Sequence, residues 1–175
     1  MNKIQFIVGA VAVAASATVM AQGQFTASNA TGAKPKIFGT DGVTGITGAG
    51  YLVEILAKVG GANVVVVPAF NVTLTGANAG LFSKGVQSVA GVPSGPVDLT
   101  VRAWDVSSGA TFAASSINGS VTFSHTLSDP SAVPPGVPSA IGSTMPSFKL
   151  SVIPEPSTYA LAALGLGGLL LFRRK

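Results

Sequence analysis

The sequence predicts an all-β fold, an antiparallel β-sandwich, on three observations. Apolar and polar residues alternate with a period of two in several short runs. Glycine and proline punctuate the gaps between those runs. No long helical repeat occurs outside the two chain ends. Turn-separated short strands with one apolar face are the elements from which two packed sheets are built, with closure into a barrel as the alternative.

Each element follows from its own residues. Tyr51 to Lys58 suits a strand or a short helix, and Gly48, Gly50 and the pair Gly60-Gly61 on its flanks favour the strand. Val64 to Val67 is an unbroken β-branched run, which predicts a strand buried on both faces. Asn63 and Pro68 bracket it and discourage edge-to-edge association. Phe70, Val72 and Leu74 alternate with Asn71, Thr73 and Thr75. Val97, Leu99, Val101 and Ala103 oppose Asp98, Thr100 and Arg102; a turn is expected from Asp105 to Gly109, with a returning strand through Phe112. Val121, Phe123 and Leu127 share a face opposite Thr122, Ser124 and Thr126. Five prolines make Ser128 to Pro146 a long loop or flexible crossover of polyproline II character. Phe148, Leu150 and Val152 then alternate as a last strand. The spacing amounts to about seven to nine strands.

Composition narrows the function classes. Charged residues are 9% of the chain, against about 25% in ordinary soluble proteins. The net charge of +4 comes from the ends, where Lys3, Arg173, Arg174 and Lys175 lie. Between Gln22 and Ile153, Lys34, Lys36, Lys58, Lys84, Arg102 and Lys149 nearly balance Asp41, Glu54, Asp98, Asp105 and Asp129. A nucleic-acid partner needs a basic stripe to displace counterions, and the sequence has none. Cysteine is absent, so folding rests on packing without disulfides.

The two ends carry the most specific signals. Met1-Asn2-Lys3 is a short positive start, Phe6 to Ala15 is uninterrupted apolar sequence, and small residues follow to Ala21. This is the three-part pattern of a secretory leader, expected as a signal helix over 1–21 with cleavage between Ala21 and Gln22. The runner-up is cleavage before Thr18, and a retained N-terminal anchor is the competing reading. At the other end Pro154, Glu155 and Pro156 form a stiff extended joint. An apolar segment from Ala160 to Phe172 follows, expected as a transmembrane helix whose anchor residues are Ala160, Leu161, Leu164, Leu166, Leu169, Leu170, Leu171 and Phe172. It is short for a crossing of about 20 residues. Arg173, Arg174 and Lys175 make a basic stop that belongs on the cytoplasmic side, which places the preceding ectodomain outside. The chain thus divides into 1–21, an ectodomain over 22–153, and a tail over 154–175.

The Pro-Glu-Pro triplet, the single span and the arginine-rich terminus resemble the PEP-CTERM sorting signal. That resemblance covers about the last 22 residues. It implies that exosortase, an inner-membrane protease of Gram-negative bacteria that make exopolysaccharide, recognises Pro154, Glu155 and Pro156 and removes the tail. Signal peptidase and exosortase are then processing partners, and the inner membrane holds the chain beforehand. The stretch from Val101 to Asp105, with Ser108 to Phe112, is similar to a segment of uncharacterised PEP-CTERM ectodomains and implies no activity.

Few residues suggest chemistry of the domain's own. His125 is the only histidine, and it falls on the apolar face of its strand. A general base needs a positioned partner, and nothing in the sequence selects a serine for it. No Cys/His cluster or EF-hand spacing points to a metal, and no cofactor is expected. Gly39 to Gly45 lacks the ending of a phosphate loop and reads as turns. Trp104 shares a strand face with Arg102 and Asp98, which makes these three the speculative ligand contact: an indole stacked on a sugar ring, with hydroxyls bonded by the two charged groups. The competing reading is an indole covering the sheet, with Arg102 beside it in cation–π contact. The expectation is an exported, non-catalytic cell-envelope or extracellular-matrix protein. The alternative is a carbohydrate-binding module or adhesin that contacts exopolysaccharide through Trp104.

Overall fold

The computed structural model describes residues 22–153, and these form an all-β domain. Its strands are β1 (Gly23–Ser28), β2 (Ile37–Phe38), β3 (Gly48–Val59), β4 (Ala62–Val72), β5 (Ser83–Val89), β6 (Gly95–Asp105), β7 (Ile117–Leu127), β8 (Phe148–Lys149) and β9 (Ser151–Val152). Five make one sheet in the order β4-β3-β6-β7-β9. The others form two narrow ladders, β1 with β5 and β2 with β8. The β2–β8 pair is parallel, so the antiparallel expectation holds for the other ladders and not for this one. A parallel neighbour is feasible here because more than a hundred residues of chain separate the two strands.

The core lies on one face of the five-stranded sheet. In β6, Val97, Leu99, Val101 and Ala103 all point inward, as the alternation requires. Val53, Ile55 and Ala57 of β3 and Phe123 and Leu127 of β7 join them. Phe25 and Ala27 of β1, Ile37 of β2, Val89 of β5 and Leu150 meet them in the same cluster. Gly60 and Gly61 both have positive φ, 58° and 88°, the requirement of the two-residue turn that joins β3 to β4 with Val59 opposite Ala62.

Four local expectations are corrected. Val64 and Val65 are 45% and 44% exposed, so the valine run is not buried on both faces. Strand β4 is the sheet's edge, and these valines lie near the hairpin tip. Pro68 sits at a bulge, where Val67 and Phe70 oppose Ile55 and Val53; its missing N–H costs no ladder bond there. After Asp105 the chain makes a 3-10 turn over Val106–Ser108, and the returning strand starts at Ile117 rather than running through Phe112. The last strand is split: Phe148–Lys149 pairs with β2, Leu150 is buried, and Ser151–Val152 crosses over to β7 with Val152 exposed.

The proline-rich stretch is the fourth. Its second half is a packed strap, not a flexible crossover. Thr26 N–H donates to the Ser139 carbonyl (2.9 Å), and Thr26 Oγ1 donates to the Pro138 carbonyl (3.1 Å). Ile141 and Met145 enter the core.

Burial separates residues that look alike in sequence. Leu99→Ala is expected to cost about 2–5 kcal/mol in urea denaturation. Val65→Thr, on the exposed part of β4, is expected to change stability by no more than about 0.5 kcal/mol.

Candidate functional site

The end of the described chain is where the domain hands over to the tail, and the β6–β7 connection builds that exit. Asp105 accepts the Ser107 N–H (2.8 Å) and closes the turn that ends β6. Ser108 Oγ and Ser115 Oγ lie 2.5 Å apart, and Ser115 Oγ also donates to the Ile117 carbonyl (2.8 Å). Asn118, largely buried, donates to the carbonyls of Ser115 (2.8 Å) and Phe112 (3.1 Å). These bonds fix the first residues of β7. Against them, Val152 lies opposite Ile117 and Ser151 opposite Asn118, and the Ile153 N–H donates to the Ser116 carbonyl (2.7 Å).

The approach is close enough to dictate Gly119. A Cβ there would meet the Lys149 carbonyl oxygen at 2.6 Å. On its other side the same segment is tied to β2, with the Leu150 N–H donating to the Phe38 carbonyl (3.0 Å). Residues 148–153 are therefore held between two sheets up to the residue before Pro154.

Trp104 belongs to the support of this exit. It lies opposite Asn118 in the sheet and packs edge-to-face on Phe112, with ring centroids 6.2 Å apart. Only 3% of it is exposed, so the indole offers no open ring to a sugar. Among the described residues its Nε1 has no hydrogen-bond partner. Arg102 is ion-paired with Glu54 and lies over the Phe112 ring at 5.0 Å, so its cation–π contact is with Phe112 and not with Trp104. Asp98 is exposed six residues away, about 20 Å along the strand. There it lines a separate cleft of about 250 Å³ with Lys58, Pro96 and Ser124. Arg102 and Trp104 thus meet at Phe112, and Asp98 does not join them.

The remaining polar candidates are absorbed by the fold. His125 is 2% exposed, and its ring packs edge-to-face against Phe25. Nδ1 lies 2.8 Å from Thr144 Oγ1, and Nε2 lies 3.2 Å from Ser139 Oγ. Both hydroxyls belong to the strap, which the imidazole pins to β7. Burial lowers the His125 pKa from its ordinary value, partly offset by a hydrogen bond that the imidazole donates to the Ser139 backbone. Asp41 accepts from the N–H groups of Val43 and Thr44, and Asp129 from that of Ser131. Each carboxylate closes its own turn, and hydrogen bonding keeps each pKa below the ordinary carboxylate value. The Gly39–Gly45 turns border a cleft of about 310 Å³ that also includes Thr47 and Tyr51.

Ala21, Pro154, Glu155, Pro156, the anchor residues from Ala160 to Phe172, and Arg173, Arg174 and Lys175 lie outside the described residues. Among the described residues no helix is long and apolar enough to cross a membrane. Residues 152–175 match the family model of the PEP-CTERM protein-sorting motif. No curated protein and no solved structure matches the chain. The motif match supports an exported protein targeted to exosortase, and it begins at Val152, inside the folded domain.

Two measurements check this neighbourhood. Trp104 is the sole fluorophore of its kind in the chain, so native emission is expected to be blue-shifted and resistant to iodide quenching, with both properties lost on unfolding. Trp104→Phe removes a buried, unpartnered donor and is expected to cost under about 1.5 kcal/mol, whereas Trp104→Ala costs about 3–5 kcal/mol. For His125 the folded pKa lies below the unfolded one, so the unfolded chain binds the proton first. Stability is expected to be full above about pH 6.5 and to decline as pH falls toward the folded pKa. His125→Gln is expected to flatten that decline in denaturation series at successive pH values.

Proposed function

We propose that this chain is a non-catalytic component of the cell envelope or extracellular matrix, exported with its β domain outside the cytoplasm and released from its anchor by exosortase. The motif match at residues 152–175 carries the trafficking part of this reading. The leader pattern of residues 1–21 supports export from the other end.

The non-catalytic part is supported by how the polar side chains are used. His125 bonds to two strap hydroxyls, and the loop aspartates serve turns. The outer face of the five-stranded sheet carries Ser120, Thr122, Ser124 and Thr126 in one row. Thr100 Oγ1 meets Thr122 Oγ1 at 2.8 Å across the strands. Such a hydroxyl-rich face, on which Lys58 and Arg102 balance Glu54 and Asp98, suits hydrated polymer surroundings. A sugar stacked on Trp104 is disfavoured by the burial of that ring.

In the native host, Glu155→Ala is expected to leave the full-length chain in the membrane fraction while the wild type is trimmed and leaves it. Immunoblotting of membrane and external fractions reads the outcome. Normal trimming of the variant would remove the sorting reading.

A further inference from the structure

We infer that the cleft between the Gly39–Thr47 loop and Tyr51 is a binding site for one residue of a neutral sugar. The inference goes beyond the reading above and rests on the described domain alone. Its failure and a failure of the sorting reading are therefore separate results.

The loop is rigid by construction. Phe38 bridges Gly45, the Gly39 N–H donates to the Thr44 carbonyl (2.8 Å), and the Ile46 N–H donates to the Ile37 carbonyl (3.0 Å). A Cβ on Gly45 would collide with the Ala79 carbonyl, so the base of the loop is pressed against that segment. At the tip, Asp41 Oδ1 accepts the N–H groups of Val43 and Thr44, each at 3.0 Å. Thr47 Oγ1 donates to the Leu74 carbonyl (2.8 Å) and ties the end of the loop to the chain beyond β4. A loop held in this way needs little further ordering when a ligand arrives, which favours binding.

Tyr51 supplies a second wall. It shares the phase of Val53, Ile55 and Ala57, so its side chain leaves β3 on the core face. Unlike those three it is only partly buried: its ring packs on the core and also lines the cleft. Pairing with Asp105 holds its backbone, and Asn71 Nδ2 donates to its carbonyl (3.1 Å). The cleft encloses about 310 Å³, at the lower end of the roughly 300–1,000 Å³ of small-ligand sites.

The lining selects the ligand. The exposed part of the Tyr51 ring can stack on the C–H face of a sugar. Around it stand the hydroxyls of Thr40, Thr44 and Thr47 and the Asp41 carboxylate. Both loop N–H bonds fall on Asp41 Oδ1, which leaves Oδ2 clear of them. Hydroxyls donate and accept, and a carboxylate accepts, so the set matches a polyhydroxylated ring. Among the described residues that line the cleft, Asp41 is the one that carries charge. Lys149 passes near Gly42 but does not line it. A carboxylate with no lining cation disfavours acidic sugars and phosphates. A divalent cation is disfavoured too, because the described residues hold no group of three or more acidic, His or Cys ligands.

Saturation-transfer NMR on the full-length chain, in a detergent without a sugar headgroup, tests the site. The probes are methyl glucoside, methyl galactoside and methyl mannoside, with glucuronate as the acidic comparison. At least one neutral probe is expected to bind with a Kd on the order of 1 mM, the reach of a ligand of about a dozen heavy atoms. Glucuronate is expected to bind at least roughly tenfold more weakly. Tyr51→Leu keeps an apolar side chain on the core but has no flat ring, and binding is expected to weaken roughly tenfold. Asp41→Asn keeps the turn's acceptor and removes the charge, and binding is expected to weaken roughly fivefold. Trp104 emission checks that each variant stays folded, and if Tyr51→Leu unfolds, Asp41→Asn decides. Failure of the wild type to bind any of the three neutral probes overturns the inference. So does wild-type affinity in a folded variant, or glucuronate bound as tightly as the neutral probes.

Discussion

Strand β6 is the constraint on which the domain depends. It pairs with β7 from Gly95 to Trp104 and with β3 from Leu99 to Asp105, and its inward residues Val97, Leu99, Val101 and Ala103 form the floor of the core. A chain without cysteine and with few charges has little besides packing to hold it together. A one-residue slip of β6 would turn Asp98, Thr100 and Arg102 inward, so the alternation fixes register as well as fold. From that register follow the pairing of Trp104 with Asn118, the start of β7, and the seat of β9.

The second theme is that polar groups inside this protein mostly serve its own backbone. Asn29, fully buried, donates to the carbonyls of Pro35 (2.8 Å) and Gly80 (3.0 Å) and accepts from the Phe82 N–H (2.5 Å), tying its own loop to the Gly80–Phe82 segment. Ser108, Ser115 and Asn118 do the same at the exit, and His125 holds the strap. Buried polar atoms need such partners, since an unpaired one costs about 1–3 kcal/mol. Trp104 Nε1 is the exception among the described residues. The edge-to-face contact with Phe112 and the burial of the large ring outweigh that one unpaired donor.

Local pattern was legible where one strand face is wet and the other dry. The strands at Val97 to Ala103 and Val121 to Leu127 were readable from alternation alone, and the Gly60-Gly61 turn marked a hairpin. Readings failed where neighbours decide. Four consecutive valines say nothing of whether their strand is central or at the edge, and β4 is at the edge. Proline spacing predicted a loose loop over Ser128–Pro146, but Ile141 and Met145 find core space that no local rule reveals. Trp104 shares the face of Arg102, as alternation requires, yet its cover, Phe112, comes from a turn whose path depends on a serine network. The ion pair of Arg102 with Glu54 is likewise a product of cross-strand register. At the tail the motif was readable because it is a contiguous string, and Val152 was readable as strand, whereas the split of that strand and its pairing with Ile117 were not.

Together these features describe a self-sufficient β domain whose final strand stops one residue short of the sorting triplet. Trimming beyond Ile153 would remove nothing the fold uses among the described residues. The most direct test is the intact mass of the protein recovered outside the native host's cells. A species that begins at Gln22 and ends between Ile153 and Ala160 is the predicted result. Recovery of the whole 175-residue chain, or of a product cut upstream of β9, would contradict it.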